Sequence, residues 1–176
     1  VINGVDLGAV TGTSAADKAF AINSISDQTG VTASATTEIK YEVVVSAIAT
    51  ANLTINGNDI PMTGDVSLDD VVLSINGSGI QGVVASADNV TGQLILTSQS
   101  GSDINVGAGA AGGLLDPSGS AVTYPDITLG VITLTGENGK DVNIISNAAS
   151  EAAKDTALGK LGLVDFGGSS SAIGTG

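Results

Sequence analysis

Leu53-Thr54-Ile55-Asn56-Gly57-Asn58-Asp59-Ile60, continued by Val71-Val72-Leu73-Ser74-Ile75-Asn76, decides the fold because it occurs twice. Near the start the chain reads Val1-Ile2-Asn3-Gly4-Val5-Asp6-Leu7 and then Lys18-Ala19-Phe20-Ala21-Ile22-Asn23. Ile2 and Ile55, Asn3 and Asn56, Ser14 and Ser67, Asp17 and Asp70, and Ile22 and Ile75 all stand 53 residues apart. One offset held over such a length is an internal repeat.

Each copy opens with alternating apolar and polar residues around an Asn-Gly pair, which predicts a short strand and a turn. Ser14 with Asp17, and Ser67 with Asp70, have the spacing of a capping box with Asp in place of Glu, so a helix is expected after each serine. Ala15, Ala19 and Ile22 share one helical face, with Phe20 and Ile25 beside it, and Phe20 is expected in the core. In the second helix Leu68, Val71, Val72 and Ile75 fall at i, i+3, i+4 and i+7, and Gly77 and Gly79 close it. Gly30-Val31-Thr32-Ala33-Ser34 then matches Gly82-Val83-Val84-Ala85-Ser86 at an offset of 52. A strand is predicted to begin at Val31.

From there the copies diverge. Copy two continues with a strand at Leu94-Ile95-Leu96-Thr97, a turn at Gly101-Ser102-Asp103, and Ile104-Asn105-Val106 as that strand's partner. Gly113-Leu114-Leu115-Asp116 closes it. Copy one shows instead residues 39–48, rich in β-branched side chains and predicted as one long strand. Its ending turns up later: Ile132-Thr133-Leu134-Thr135 and Gly139-Lys140-Asp141-Val142-Asn143-Ile144 match residues 94–106 at an offset of 38. A helix is predicted over residues 148–161, and Gly162-Leu163-Val164-Asp165 repeats the closing block.

Nesting explains this order most economically. The expected fold class is α+β and strand-rich: two related small modules of short strands plus a helix, one inserted into a hairpin of the other. Residues 1–49 and 121–166 form an inner, split domain, residues 50–120 an inserted outer domain, and residues 167–176 a flexible Gly/Ser-rich tail. Residues 39–48 and 121–135 are expected as the two legs of the hairpin. Charge follows the same division. Residues 53–116 hold Asp59, Asp65, Asp69, Asp70, Asp88, Asp103 and Asp116 and no lysine, whereas all five lysines lie in the split copy. The expected core is Ile2, Ile22, Ile55, Leu68, Val72, Ile75, Leu94, Leu96, Ile132 and Leu134.

Composition excludes several classes of function. The net charge is −13 with five lysines and no arginine, which argues against a nucleic-acid partner or an anionic membrane surface. The longest apolar runs, such as Val43-Val44-Val45, are far too short to span a bilayer. With no Cys and no His, triads built on those residues, disulfides and histidine-based zinc sites are impossible. Aromatics are 2% of a chain that is 42% hydrophobic, so the core must come from Val, Ile, Leu and Ala. The start at Val1, without an initiator Met or signal-like segment, leads to the expectation of a piece excised from a longer protein.

The remaining chemistry has plainer readings. Asp69 and Asp70 are neighbours on a helix and point about 100° apart, so Asp70 reads as the capping acid and Asp69 as solvated surface. Calcium suits a carboxylate-rich protein, yet no Asp-x-Asp-x-Asp-Gly loop occurs, and Asn56-Gly57-Asn58-Asp59 reads as a hairpin turn. Gly107-Ala108-Gly109-Ala110-Ala111-Gly112 spells G-x-G-x-x-G without the acidic residue a dinucleotide site needs, and reads as a linker. Phe20, Tyr41, Tyr124 and Phe166 are too few for a carbohydrate platform. Asn52-Leu53-Thr54, Asn76-Gly77-Ser78 and Asn89-Val90-Thr91 are formal glycosylation sequons that read as turn residues and strand threonines. No catalytic, cofactor-binding or metal residue is assigned, and neither enzyme activity nor a cofactor is expected.

The order of a strand with Ile-Asn-Gly, a capped helix ending in Ile-Asn, Gly-Val-x-Ala-Ser, then Leu-x-Leu-Thr-Ser and Gly-x-Asp-Ile-x-Val resembles the flagellin hook IN motif. That motif is found in the central, outward-facing regions of bacterial flagellins and in the filament-cap protein. Residues 53–106 are the fuller match, and residues 2–34 with 132–144 supply the split one. The resemblance implies an extracellular structural subunit of the bacterial flagellum, used for motility, that forms a homo-oligomeric filament. Flagellins polymerise through long terminal helices that this chain lacks, so the fragment alone is expected to be monomeric. The alternatives are the filament-cap (hook-associated) protein and an extracellular adhesin or binding module.

Overall fold

The computed structural model describes residues 1–50, 52–62, 64, 67–107 and 113–146. The helix expected over 148–161, the closing block at 162–165, Phe166 and the tail at 167–176 lie outside the described residues, as does most of the Gly107–Gly112 run. The fold is α+β and rich in strands. The chain divides into two compact units: residues 1–35 with the chain from Val131 onward, and residues 36–130.

In the first unit Asn3 (φ 45°) and Gly4 (φ 84°) make the opening turn, closed by a bridge between Ile2 and Val5. Positive φ at both central residues is the requirement that Asn-Gly meets at least cost. Helix α1 (Ala15–Asn23) starts where the capping box places it. The Ser14 hydroxyl accepts from the Asp17 amide (3.2 Å), and the Asp17 carboxylate accepts from the Ser14 amide (3.1 Å). A short helix α2 (Ser26–Thr29) follows and stops at Gly30 in the left-handed conformation. Strand β1 (Val31–Val43) then begins. Ile2, Ile22 and Val31 are buried together, with Leu7, Leu134 and Val142 packed against them. Ala15, Ala19 and Ala35 form a second small cluster with Ile132 alongside. Alanines on this helix face bring the helix backbone close to its neighbours.

The second unit holds the larger core. Helix α3 (Val45–Ile48) follows β1, then β2 (Asn52–Ile55), β3 (Asn58–Pro61), α4 (Leu68–Gly77), β4 (Val84–Asp88), β5 (Gln93–Ser98), β6 (Ile104–Gly107), β7 (Leu114–Leu115) and β8 (Asp126–Thr128). Strand β9 (Val131–Gly136) returns to the first unit and pairs with β1. One sheet runs β4-β5-β1-β7, with Ile39 opposite Leu96 and Leu96 opposite Ala85. The other runs β3-β2-β6-β8, with Leu53 opposite Ile60 and Ile55 opposite Val106. Period-two burial puts Leu94 and Leu96 of one sheet, and Leu53, Ile55, Ile104 and Val106 of the other, into one core. Helix α4 adds Val71 and Ile75, with Leu68 and Val72 half-buried beside them. Of the ten expected core residues, Ile2, Ile22, Ile55, Ile75, Leu94 and Leu96 are buried, and Leu68, Val72, Ile132 and Leu134 pack against the clusters.

Four local expectations are corrected. Residues 39–48 are not one strand: β1 starts at Val31, ends at Val43, and turns into α3. Its partner β7 is only two residues long, and the Val44 amide closes the ladder on the Gly113 carbonyl (2.9 Å). The helical turn then buries Ile48 completely, so burial overrides the β preference of Val44 and Val45. Ile104-Asn105-Val106 is not the partner of β5, whose two edges are already filled by β1 and β4. The turn after Ser98 carries the backbone to the other sheet instead. Residues 121–135 do not form one leg either: β9 pairs with β1, while β8 completes the open edge of β6. Phe20 is 78% exposed and not core. In a nine-residue helix the buried stripe is Ala15, Ala19 and Ile22, and Phe20 stands off it.

Candidate functional site

Two pairs of asparagines recur with the repeat, and each closes a backbone ladder with its carboxamide. Asn76, at the end of α4, accepts from the Ala85 amide (2.9 Å) and donates to the Ala85 carbonyl (2.9 Å). Strand β4 is a sheet edge, and Ala85 already pairs with Leu96 on its inner side. The carboxamide therefore satisfies the outward-facing pair that a free edge leaves open. Asn23, at the end of α1, does the same for Ala33, at 2.7 and 2.8 Å.

A second clamp sits at the opening turn of each copy. The Asn56 amide donates to the Asn105 carbonyl (2.8 Å), and the Asn105 amide donates to the Asn56 side-chain oxygen (2.8 Å). With Asn56 left-handed (φ 49°), its own carbonyl is turned away, and the side chain replaces it. Asn3 makes the identical pair with Asn143, at 2.8 Å in both directions. The sequence contained the signal, Asn repeated after Ile in both places, but gave no reason for it.

One polar contact, between a buried phenol and a half-buried carboxylate, joins the two sheets of the second unit. Tyr41 of β1 is 1% exposed, and its hydroxyl donates to the Asp126 carboxylate of β8 (2.7 Å). Burial first, and then the Asp126 carboxylate, push the Tyr41 phenol well above its ordinary range. Burial raises the Tyr124 phenol too, with Asp126 adding to it. Sequence reading missed this group, since nothing in the spacing of Tyr41, Tyr124 and Asp126 brings them together. A protonated phenol held in place is a cohesive element here, and its pH dependence has a definite sign. Unfolded tyrosine ionises near about pH 10, so the contribution is complete below that value and is lost as pH rises toward the folded value. Tyr41→Phe is expected to cost about 1–2 kcal/mol at neutral pH. Urea titrations at neutral and at strongly alkaline pH check this: a wild-type excess over the mutant that does not shrink in alkali would contradict it.

The other candidate residues have local roles. The Asp70 carboxylate accepts from the Ser67 hydroxyl (2.7 Å) at the start of α4, and Asp69 is exposed. Asn56 and Gly57 form the hairpin turn between β2 and β3, and Asp59 accepts from the Thr54 hydroxyl (2.8 Å). Asp17, Asp88 and Asp116 are held below the usual carboxylate range by hydrogen bonds, chiefly from Ser14, the Val90 amide and Ser118 respectively. Gly107 ends β6 against Thr54. Of the sequon asparagines, Asn52 and Asn89 are exposed, and Asn76 is occupied by its clamp. Among the described residues no three acidic groups converge to hold a metal ion, and no helix is long and apolar enough to cross a membrane.

No curated protein matches the chain. Residues 52–100, from β2 to the turn after β5, match the family model described as the flagellin hook IN motif. That stretch contains the hairpin turn at Asn56, the capped helix α4 and the Asn76 clamp, and it covers the copy the sequence marked as fuller. The chain thus carries a flagellin hook IN motif in its second unit, and the motif supports a structural, flagellin-like protein.

Proposed function

We propose that the chain forms the surface-exposed outer domains of a bacterial flagellin, extracellular on the flagellar filament, and that its role there is structural, not enzymatic. The motif over residues 52–100 carries this reading. The nested arrangement, residues 1–49 and 121–166 around 50–120, belongs to the same proposal. It draws support from the Asn3–Asn143 and Asn56–Asn105 pairs, which share a geometry although one spans 140 residues and the other 49. In this reading neighbouring copies assemble through flanking helices, and the outer domains project from them. Their net charge of −13 keeps adjacent filaments apart and soluble. Neither nucleic acid nor membrane is a partner, and no cofactor is used.

Immunogold electron microscopy of the source cells, with antibodies raised to this protein, tests the proposal. Gold along the whole filament is expected. Gold confined to filament tips would transfer the assignment to the cap protein, and gold on the cell body beside bare filaments would transfer it to an adhesin.

A further inference from the structure

We infer that Asn138 is a site of spontaneous deamidation through a succinimide, and that the fold suppresses the same reaction at the other three Asn-Gly pairs of the protein. Asn-Gly occurs at Asn3-Gly4, Asn56-Gly57, Asn76-Gly77 and Asn138-Gly139. Glycine lacks the side chain that shields a backbone nitrogen, so all four share the same intrinsic reactivity. The Gly139 nitrogen attacks the carboxamide carbon of Asn138. The carboxamide C–N bond breaks, ammonia leaves with the proton of the glycine amide, and a cyclic imide closes. Water then adds to either ring carbonyl, giving aspartate or isoaspartate. The reaction needs no reagent but water.

The reaction requires the carboxamide to rotate onto the next residue's nitrogen, and the fold decides where it can. At Asn3 the side chain donates to the Thr29 carbonyl (2.9 Å) and accepts from the Asn143 amide (2.8 Å). At Asn56 it accepts from the Asn105 amide (2.8 Å). At Asn76 both ends are held by Ala85, and Gly77 lies inside α4. Asn138 differs. It sits in the exposed 3-10 turn Glu137–Gly139 with φ 54°, and its side chain makes no hydrogen bond among the described residues. Gly139 is exposed, and nothing lies within 4 Å of where its side chain would start. The product adds a carboxylate to an already acidic surface.

Breaking one or two hydrogen bonds before attack slows the clamped sites by about two- to a hundredfold relative to Asn138. Incubation of this 176-residue chain in warm, mildly alkaline buffer, read by intact-protein fragmentation mass spectrometry that separates aspartate from isoaspartate, measures the four rates. Asn138 is expected to convert first, to both products, and the four rates are expected to converge in concentrated urea. Equal rates in the folded protein, or an undiminished lead of Asn138 in urea, would overturn the inference. Asn138→Gln should abolish the early acidic species, and its persistence in that variant would overturn the assignment of the site.

Discussion

Leu96→Ala is expected to destabilise the second unit by about 3–5 kcal/mol, the range for emptying a fully buried leucine position. Leu96 is completely buried and lies at the centre of the β4-β5-β1-β7 sheet, opposite Ile39 on one side and Ala85 on the other. Truncation empties a position in the core cluster that both sheets and α4 share, and a close-packed interior does not refill the space. For a unit of this size each kcal/mol moves the midpoint by several degrees, so a fall of about 15 °C or more is expected in scanning calorimetry. Leu73→Ala provides the contrast. Leu73 lies on the same motif but is 68% exposed, and its loss should change the midpoint little. If the two mutants melted alike, the core assignment of β5 would be wrong.

Asn76→Ala is the second large effect, expected at about 3 kcal/mol. Ala85 is 3% exposed, so deleting the carboxamide strands both an amide and a carbonyl away from water. Each unsatisfied buried group costs about 1–3 kcal/mol. The equivalent Asn23→Ala should cost less, about 1 kcal/mol, because Ala33 is half-buried and water can replace the lost partner. Asn76→Asp separates the two halves of the clamp: it keeps an acceptor for the amide and loses the donor to the carbonyl. Urea denaturation of the three variants reads the order. A loss at Asn23 equal to that at Asn76 would show that edge burial does not set the magnitude. Hydrogen exchange at the Ala85 amide offers a local check, since protection there should fall in Asn76→Ala.

The local elements were legible because their causes are local. Ser14 and Ser67 cap helices wherever an acid stands three residues on, and Asn-Gly turns at Asn3 and Asn56 because few other residue pairs take two positive φ values cheaply. The repeat offset likewise marked which residues are equivalent before any contact was known. The α+β class and the buried stripe of α4 follow from periodicity alone.

Pairing and partner choice were not legible, because they depend on which edges the rest of the protein has already filled. Ile104-Asn105-Val106 follows β5 through a turn as a hairpin partner would, yet β5 has no free edge, and β6 joins the other sheet. Val44 and Val45 favour a strand, but a two-residue partner and the burial of Ile48 end it. Tyr41 and Asp126 are 85 residues apart and meet only because the two sheets share one core. The sequence by itself determined the repeat, the caps and the turns, whose energies lie within a few neighbouring residues. Only the tertiary structure decided the sheet order, the edge clamps and the Tyr41–Asp126 contact, because the partner of a ladder edge or a buried hydroxyl comes from residues distant in the sequence.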